Sequence, residues 1–183
     1  MALTVEDGTC VADANAFVTR EAFLAFAAEY YPAATFSDDE TTDAAIMRTT
    51  PWLSSYPDWD GSMKCGRGLQ GTAWPRTGVT DCAGETIPDD EVPVEVEWAT
   101  FYGTMAEYAS PGILNPSITP GKQKKSVKVD VIAESYMTPK EQGVSGSLDP
   151  VASLRPVLTA VNDALRCLAS FPSGRAAPWP WVA

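Results

Sequence analysis

Residues 54–87 form a long segment rich in Gly, Pro, Asp and Trp, and they follow a stretch with helical periodicity. A segment of this length is too long for an ordinary connection between two helices. It is therefore either a functional loop or a loop held down on the domain by Trp59 and Trp74. We favour the packed loop, with both indoles as its anchors.

A tight turn within this segment reads Trp74-Pro75-Arg76-Thr77-Gly78. Pro75 fixes its own φ and biases Trp74 toward extended geometry, while Gly78 supplies the freedom that a reversal needs. We expect Trp74 to pack in a loop between helices. Arg76 has two open roles, as an anchor of the loop or as a contact between subunits, because a guanidinium beside a rigid turn suits both.

Helix signals recur along the chain. Thr19 is a candidate N-cap, Ser37 and Glu40 form a capping box, and Gly103 would permit close approach of a neighbouring helix. Pro51 is expected to kink or restart the second helix. The first, third and fourth predicted helices cover about residues 20–30, 88–108 and 150–170. The second follows the capping box, with an apolar side from Ala44 to Leu53. The third opens at Pro88 to Glu91, and the fourth has Asp149 as its N-cap and Pro150 as its first residue.

Apolar and polar residues alternate from Ser126 to Val131, which is typical of a strand with Val127, Val129 and Val131 on one side. The next residues, 132–136, could continue it. A lone strand must pair to satisfy its backbone, either with a hairpin partner or with a neighbouring subunit. Because the hairpin candidates nearby are weak, pairing between subunits gains weight.

The last residues include Pro178-Trp179-Pro180-Trp181-Val182, which cannot be helical and are too apolar for an ordinary disordered end. Proline lowers the entropy cost of binding and tryptophan supplies contact area, so this tail is predicted to dock into a partner. The alternative is that the tail folds back on its own domain.

These patterns together predict a mainly α fold. We expect a small bundle of about four helices with a long loop, an extended β-strand or hairpin insertion at about 119–140, and an extended C-terminal tail. At 183 residues and 45% hydrophobic composition, residues 1–171 should form a single domain, with 172–183 as the docking tail. No run is long enough to span a membrane, so we expect a soluble protein made in the cytoplasm.

Charge is unevenly distributed. Residues 1–121 hold 19 acidic and 5 basic residues, a net charge of −14, whereas 122–183 hold 5 acidic and 8 basic residues, a net charge of +3. An acidic body repels a phosphate backbone and argues against a dedicated nucleic-acid binder. Lys122, Lys124, Lys125 and Lys128 form the one patch that could contact DNA or a partner, although a solvated lysine run explains it better.

The chain contains no histidine, which removes the commonest general base and the usual transition-metal ligand. The acidic clusters 38–40 and 89–91 are better explained as helix starts than as paired catalytic carboxylates. Four cysteines lie far apart without a CxxC pair, and we expect them to be free thiols. One disulfide is geometrically possible, but a protein made in the cytoplasm normally stays reduced. The sequence thus predicts no enzyme activity, no cofactor and no metal.

Three stretches resemble a family of small tailed-phage proteins that look like head–tail connectors, or adaptors, and are often labelled DnaT-like single-stranded-DNA-binding proteins. They are Leu3-Thr4-Val5-Glu6-Asp7-Gly8-Thr9, Asn15-Ala16-Phe17-Val18-Thr19, and Ala73 to Val79 with the prolines that follow. The resemblance covers roughly the first 110 residues.

The resemblance implies a structural virion protein at the head–tail neck. Such a subunit would form a ring, implied to be a dodecamer, under the portal protein, contact a downstream tail or stopper protein, and let double-stranded DNA pass without sequence-specific binding. We expect it to be a monomer until the portal templates the ring, because its acidic surface opposes free association. The alternative function is a single-stranded-DNA-binding, primosomal-like replication protein.

Overall fold

The computed structural model describes residues 2–36, 38–66, 68–116, 124–128, 133–136 and 157–171, with the backbone alone for 124–128 and 133–136. The fold is mainly α, as predicted: a small helical bundle with loops and short strands. In chain order the elements are α1 (Arg20–Tyr30), α2 (Asp39–Ser55), β1 (Asp58–Trp59), β2 (Ser62–Met63), β3 (Arg76–Thr77), α3 (Val94–Ala109), β4 (Lys124–Lys128), β5 (Ala133–Tyr136), α4 (Thr159–Leu165) and β6 (Ala169–Ser170).

Helix α3 is the centre of the bundle, since it packs against both α2 and α4 and more lightly against α1. The core includes Phe23, Ile46 and Leu165, all fully buried, and Phe26 of α1 stacks on Phe101 of α3 with ring centroids 4.6 Å apart. Burying these apolar side chains supplies the main driving force for folding. Helix α3 therefore takes part in the two most extensive helix–helix contacts of the described chain.

The start of α1 agrees with its prediction. Thr19 is the N-cap, and its hydroxyl accepts a hydrogen bond from Ala22 N at 3.1 Å. For α2, the N-cap is Asp38, whose carboxylate accepts from Glu40 N, whereas Ser37 lies outside the described residues. The acidic cluster at 38–40 is thus a helix start, as expected from capping and the helix dipole.

Helix α2 continues through Pro51 to Ser55, so the predicted restart at Pro51 is wrong. Pro51 has no backbone N–H, so one hydrogen bond to the preceding turn of α2 is missing. The hydroxyls of Thr49 and Thr50 donate to the carbonyls of Ala45 and Ile46 in this part of the helix. Tertiary packing of Trp52 and Leu53, which are both buried, keeps the last turn helical.

The third helix begins later than predicted, because Pro93 is its N-cap and Val94 its first residue. A helix already begun at residues 88–91 would place the Pro93 ring against a carbonyl one turn earlier. Asp89 and Asp90 lie instead in a turn, where Lys64 Nζ is 3.3 Å from Asp89 Oδ1. The cluster 89–91 is therefore not the first turn of α3, and the prediction that it starts that helix is wrong.

The fourth helix also differs at its end. It stops at Leu165, and Ala169–Ser170 form β6, which pairs antiparallel with β1 in the register Asp58 with Ser170 and Trp59 with Ala169. The sequence predicts a helix that runs to Ser170, but the residues of its predicted last turn pair with β1 instead. Asp149 and Pro150, its predicted start, lie outside the described residues, but the prediction of helix at 157–158 is wrong, because Leu158 is the N-cap and Thr159 the first helical residue.

Two further strand pairs complete the fold. β2 pairs antiparallel with β3, and β4 pairs antiparallel with β5. Residues 133–136 therefore turn back on β4 rather than continuing it, and the weak hairpin candidate supplies an intrachain partner for that strand. Each of the three sheets in the described part of the chain has two strands.

Gly103 brings α2 and α3 close together, as predicted. A Cβ built on Gly103 would lie 2.6 Å from Cγ2 of Thr49, which is far inside van der Waals contact. The Thr49 side chain is held in place by its hydroxyl, which donates to Ala45 O at 2.9 Å. The crossing of the two central helices therefore depends on a missing side chain.

We expect Gly103→Ala to lower the free energy of unfolding by about 1–2 kcal/mol, since overpacking outweighs the gain of about 1 kcal/mol in helix propensity. Urea denaturation measures the change. In a Thr49→Ser background, which lacks Cγ2, the same substitution should cost little. Gly68→Ala, which meets no neighbouring atom, is the control. An equal loss in both backgrounds would contradict the proposed contact.

Candidate functional site

Arg76 holds the long loop by donating hydrogen bonds to three backbone carbonyls. Its Nε lies 2.7 Å from Asp60 O, Nη2 2.9 Å from Gly61 O, and Nη1 3.2 Å from Ala73 O. Burial lowers the pKa of Arg76, and the nearby Asp60 carboxylate opposes that shift. The residue is only 8% exposed, so of its two predicted roles the structure places it as a loop anchor.

Trp74 is fully buried beside this anchor. Its ring meets that of Trp59 edge-on, with centroids 5.8 Å apart, and Trp59 Nε1 donates to Leu53 O at 2.9 Å. The Trp74–Pro75 peptide bond is cis. Both tryptophans therefore tie the loop to α2, and the packed loop favoured from the sequence is the arrangement found.

Two disulfides add covalent links to the same loop. Cys10 is bonded to Cys65, and Cys82 to Cys167, with Cα atoms 6.2 and 5.1 Å apart. The prediction of free thiols is therefore wrong. Distances along the sequence concealed the pairing, because the loop folds back onto the N-terminal segment at one point and onto the end of α4 at another.

A cavity of about 620 Å³ lies between the end of α2 and the loop, with Gln70, Arg76 and Trp59 in its lining. Two of its polar side chains, Gln70 and Arg76, already form hydrogen bonds within the loop. The Gln70 amide donates to Thr72 O and Pro75 O, and its carbonyl accepts from Cys65 N. The hydrogen bonds of Gln70 and Arg76 in this cavity are therefore those of loop packing.

Most of the basic side chains that the structure describes are held by ion pairs or hydrogen bonds within the fold. Of the five whose side chains the structure describes, four are held. Arg20 pairs with Asp39 and Asp43, Arg48 with Glu107, Lys64 with Asp89, and Arg76 binds carbonyls, leaving exposed Arg166. Positive charge available to a phosphate backbone is correspondingly scarce on this part of the surface.

Aromatic side chains from α1 and α3 form a partly exposed surface that the sequence reasoning missed. Trp98 lies 5.5 Å from Tyr30 and 6.1 Å from Tyr102, measured between ring centroids. Tyr30 is 50% exposed, and Tyr31 beside it is 40% exposed. Burial raises the pKa of Tyr102, and the two neighbouring tyrosines raise it further.

The other predicted site residues fall partly outside the described chain. Lys124, Lys125, Val127 and Lys128 lie on β4. Lys122, Val129 and Val131 lie outside the described residues, as do Pro178, Trp179, Pro180, Trp181 and Val182. The docking role of the tail and the intersubunit role of the valines stay predictions.

Two buried carboxylates were also missed. Glu6 accepts hydrogen bonds from the backbone N–H groups of Gly8, Cys10 and Val11. Glu107 accepts from Arg48 Nε at 2.6 Å and from Gly112 N at 2.7 Å. Both close loops and show that carboxylates here act in structure. Among the described residues, no group of three or more Cys, Asp or Glu side chains could hold a metal ion.

The described helices include none with the length and apolar character needed to cross a membrane. Fold and surface thus define a mainly helical domain with a loop held by two disulfides, an acidic body and a partly exposed aromatic surface.

A protein-family model described as "Putative DnaT-like ssDNA binding protein" matches residues 1–178. The chain belongs to this family. That family description fits the single-stranded-DNA-binding alternative better than the connector function. Comparison with curated proteins and comparison with solved structures gave no match.

We expect Arg76→Lys to lower the free energy of unfolding by about 2–3 kcal/mol, because an ammonium cannot reach three carbonyls that a planar guanidinium serves together. Thermal or urea unfolding followed by circular dichroism measures the loss. Arg166→Lys, on an exposed side chain, is the matched control and should change little. Equal stability of the two variants would show that the loop does not need the three hydrogen bonds of the Arg76 guanidinium.

Proposed function

We propose that this chain is a structural subunit of the head–tail neck of a tailed phage, forming a ring beneath the portal. The observation that carries the proposal is the charge of the body. Its acidic residues far outnumber its basic ones, and four of the five described basic side chains are occupied within the fold. Such a surface repels passing DNA, as the wall of a DNA channel requires.

The partly exposed aromatic surface supports the same proposal. Tyr and Trp are enriched where proteins bind one another, and here Tyr30 and Tyr31 lie beside Trp98. Stacking of nucleic-acid bases also uses aromatic side chains, but it is normally combined with a positively charged groove. The neighbouring residues Glu29 and Glu95 carry the opposite charge. A protein partner therefore fits this surface better than a nucleic acid.

The Trp-Pro-Trp tail is the proposed portal contact. Its residues Pro178 to Val182 combine a stiff backbone with two large indoles, which suits insertion of an extended peptide into a groove. The resemblance of the N-terminal stretches and the Trp74 turn to phage adaptors supports a ring matched to the portal, with twelve subunits and a tail or stopper protein below.

We expect the full chain to bind the phage's portal protein in a ring-on-ring complex with one copy per portal subunit, measured by native mass spectrometry. Replacing Trp179 and Trp181 with Ala should abolish binding, because the tail loses its contact area, while circular dichroism stays unchanged. Ala substitution of Leu69, which is 66% exposed on the loop, is the control and should leave binding intact. A full-length chain that stays monomeric beside an unaltered portal would contradict the proposal.

Single-stranded-DNA binding is the second candidate, and the family description is the observation that favours it. We expect fluorescence anisotropy of a labelled oligonucleotide to show no saturable binding at physiological salt, because the described body offers few free cations. Binding that is saturable and weakens steeply with salt would favour this candidate over the neck subunit. Lys124→Ala with Lys125→Ala would then test whether the lysine cluster carries that binding.

A further inference from the structure

A row of partly exposed apolar side chains runs along one side of α3. Val94, Trp98 and Tyr102 follow one another at intervals of four residues, so they lie in line on the helix surface over about 12 Å. Tyr30 and Tyr31, at the end of α1, flank this row. Val94 is 56% exposed. A continuous apolar surface of this kind is typical of a place where another molecule docks.

Two grooves follow the row along the seam between α3 and α4. The first, of about 210 Å³, has Val94, Trp98 and Ala164 in its lining. The second, of about 390 Å³, has Tyr102 and Val157 in its lining, and Val157 is 58% exposed. We call these two together the α3–α4 groove. A groove between two helices is the shape that the apolar side of an amphipathic helix fills.

The α3–α4 groove opens at one end onto a strongly acidic surface. Val94 and Glu95 line it and also line an adjoining groove of about 390 Å³ between the loop before α3 and the start of that helix. We call this adjoining groove the acidic groove. Its lining in the described chain includes no basic side chain and five acidic ones: Asp81, Glu85, Glu91, Glu95 and Glu97. The N-terminus of α3 contributes roughly half a positive unit charge, which is far less than these carboxylates carry.

Most of these carboxylates have no cation beside them. Among the residues that the structure describes, Glu85, Glu91, Glu95 and Glu97 form no ion pair. Burial raises the pKa of Glu97, so its charged form is less favourable here than in water. A partner that brings positive charge to the acidic groove therefore gains electrostatic energy, whereas a phosphate backbone is repelled.

We propose that an amphipathic, basic helix of a partner protein docks on this surface. Its apolar side chains, spaced three or four residues apart, lie in the α3–α4 groove against Val94, Trp98 and Tyr102. Its lysine or arginine side chains, grouped toward one end, lie in the acidic groove. The inference rests on the proposed function, since it gives the chemistry of a protein partner that the neck subunit contacts.

Fluorescence anisotropy of a labelled synthetic peptide with the full-length chain tests the site. The peptide is a helix-forming sequence of about fourteen residues, with leucines on one face and lysines grouped at one end. We expect saturable binding at physiological salt. Binding should be lost when the lysines are replaced by glutamates, and also when the same residues are rearranged so that the leucines no longer share a face.

Two changes to the protein address the two parts of the surface. Glu91→Gln with Glu95→Gln removes two charges from the acidic groove, and Val94→Ser removes an apolar contact at an exposed position. We expect each change to weaken peptide binding about fivefold or more, while circular dichroism stays unchanged.

The matched controls make the same chemical changes at exposed positions outside both grooves. They are Glu21→Gln with Glu40→Gln, in the first turns of α1 and α2, and Leu69→Ser on the loop, and they should leave affinity unchanged. No saturable binding, equal binding of the glutamate peptide, or an equal loss in the controls would overturn the inference. A segment of the same chain that covers the groove would give the first of these negative results.

The portal separates failure of this inference from failure of the proposed function. If the chain forms its ring on the portal but does not bind the basic peptide, the docking surface is wrong and the neck function stands. If the chain binds the peptide with the expected effects of the variants but ignores the portal, the docking surface stands and the neck function is wrong.

Discussion

The three hydrogen bonds from Arg76 to backbone carbonyls are the interaction on which the loop and its surroundings depend. They join two stretches of the loop, at 60–61 and at 73, while Trp74 and Trp59 pack between them and α2. The two disulfides fasten the same loop to the N-terminal segment and to the end of α4. A loop held in so many ways acts as part of the core.

The charge of the surface follows from how the basic side chains are held within the fold. Ion pairs and hydrogen bonds within the fold hold most of the basic side chains that the structure describes. This leaves a negatively charged exterior and a partly exposed aromatic surface flanked by acidic residues. The description of the matched family names single-stranded DNA, whereas the distribution of charge is the ground on which we propose a protein partner. The proposed neck subunit reconciles the acidic body with proximity to DNA, because a channel wall needs to be near DNA without holding it.

Local signals made the helices predictable, and contacts distant in sequence made the rest unpredictable. Thr19 caps α1 through its own side chain, so its role could be inferred from neighbouring residues. The end of α4 depends on β6 pairing with β1, more than a hundred residues earlier, and Cys82 finds Cys167 across a separation of 85. Exposure of Tyr30 likewise depends on how α1 meets α3, which helical periodicity does not specify. The turn around Arg76 indicates that this residue is important. Its role as a loop anchor rather than a subunit contact depends on where the backbone carbonyls lie, which the sequence does not specify.

The central claim, that this chain is part of the virion neck, is tested most directly by quantitative mass spectrometry of purified particles of the phage that encodes it. A neck subunit stays in the mature particle, so the account predicts peptides of this chain in a fixed ratio of one copy per portal subunit. Absence of the chain from purified particles, with abundant protein in infected cells during replication, would contradict the account and favour a replication function.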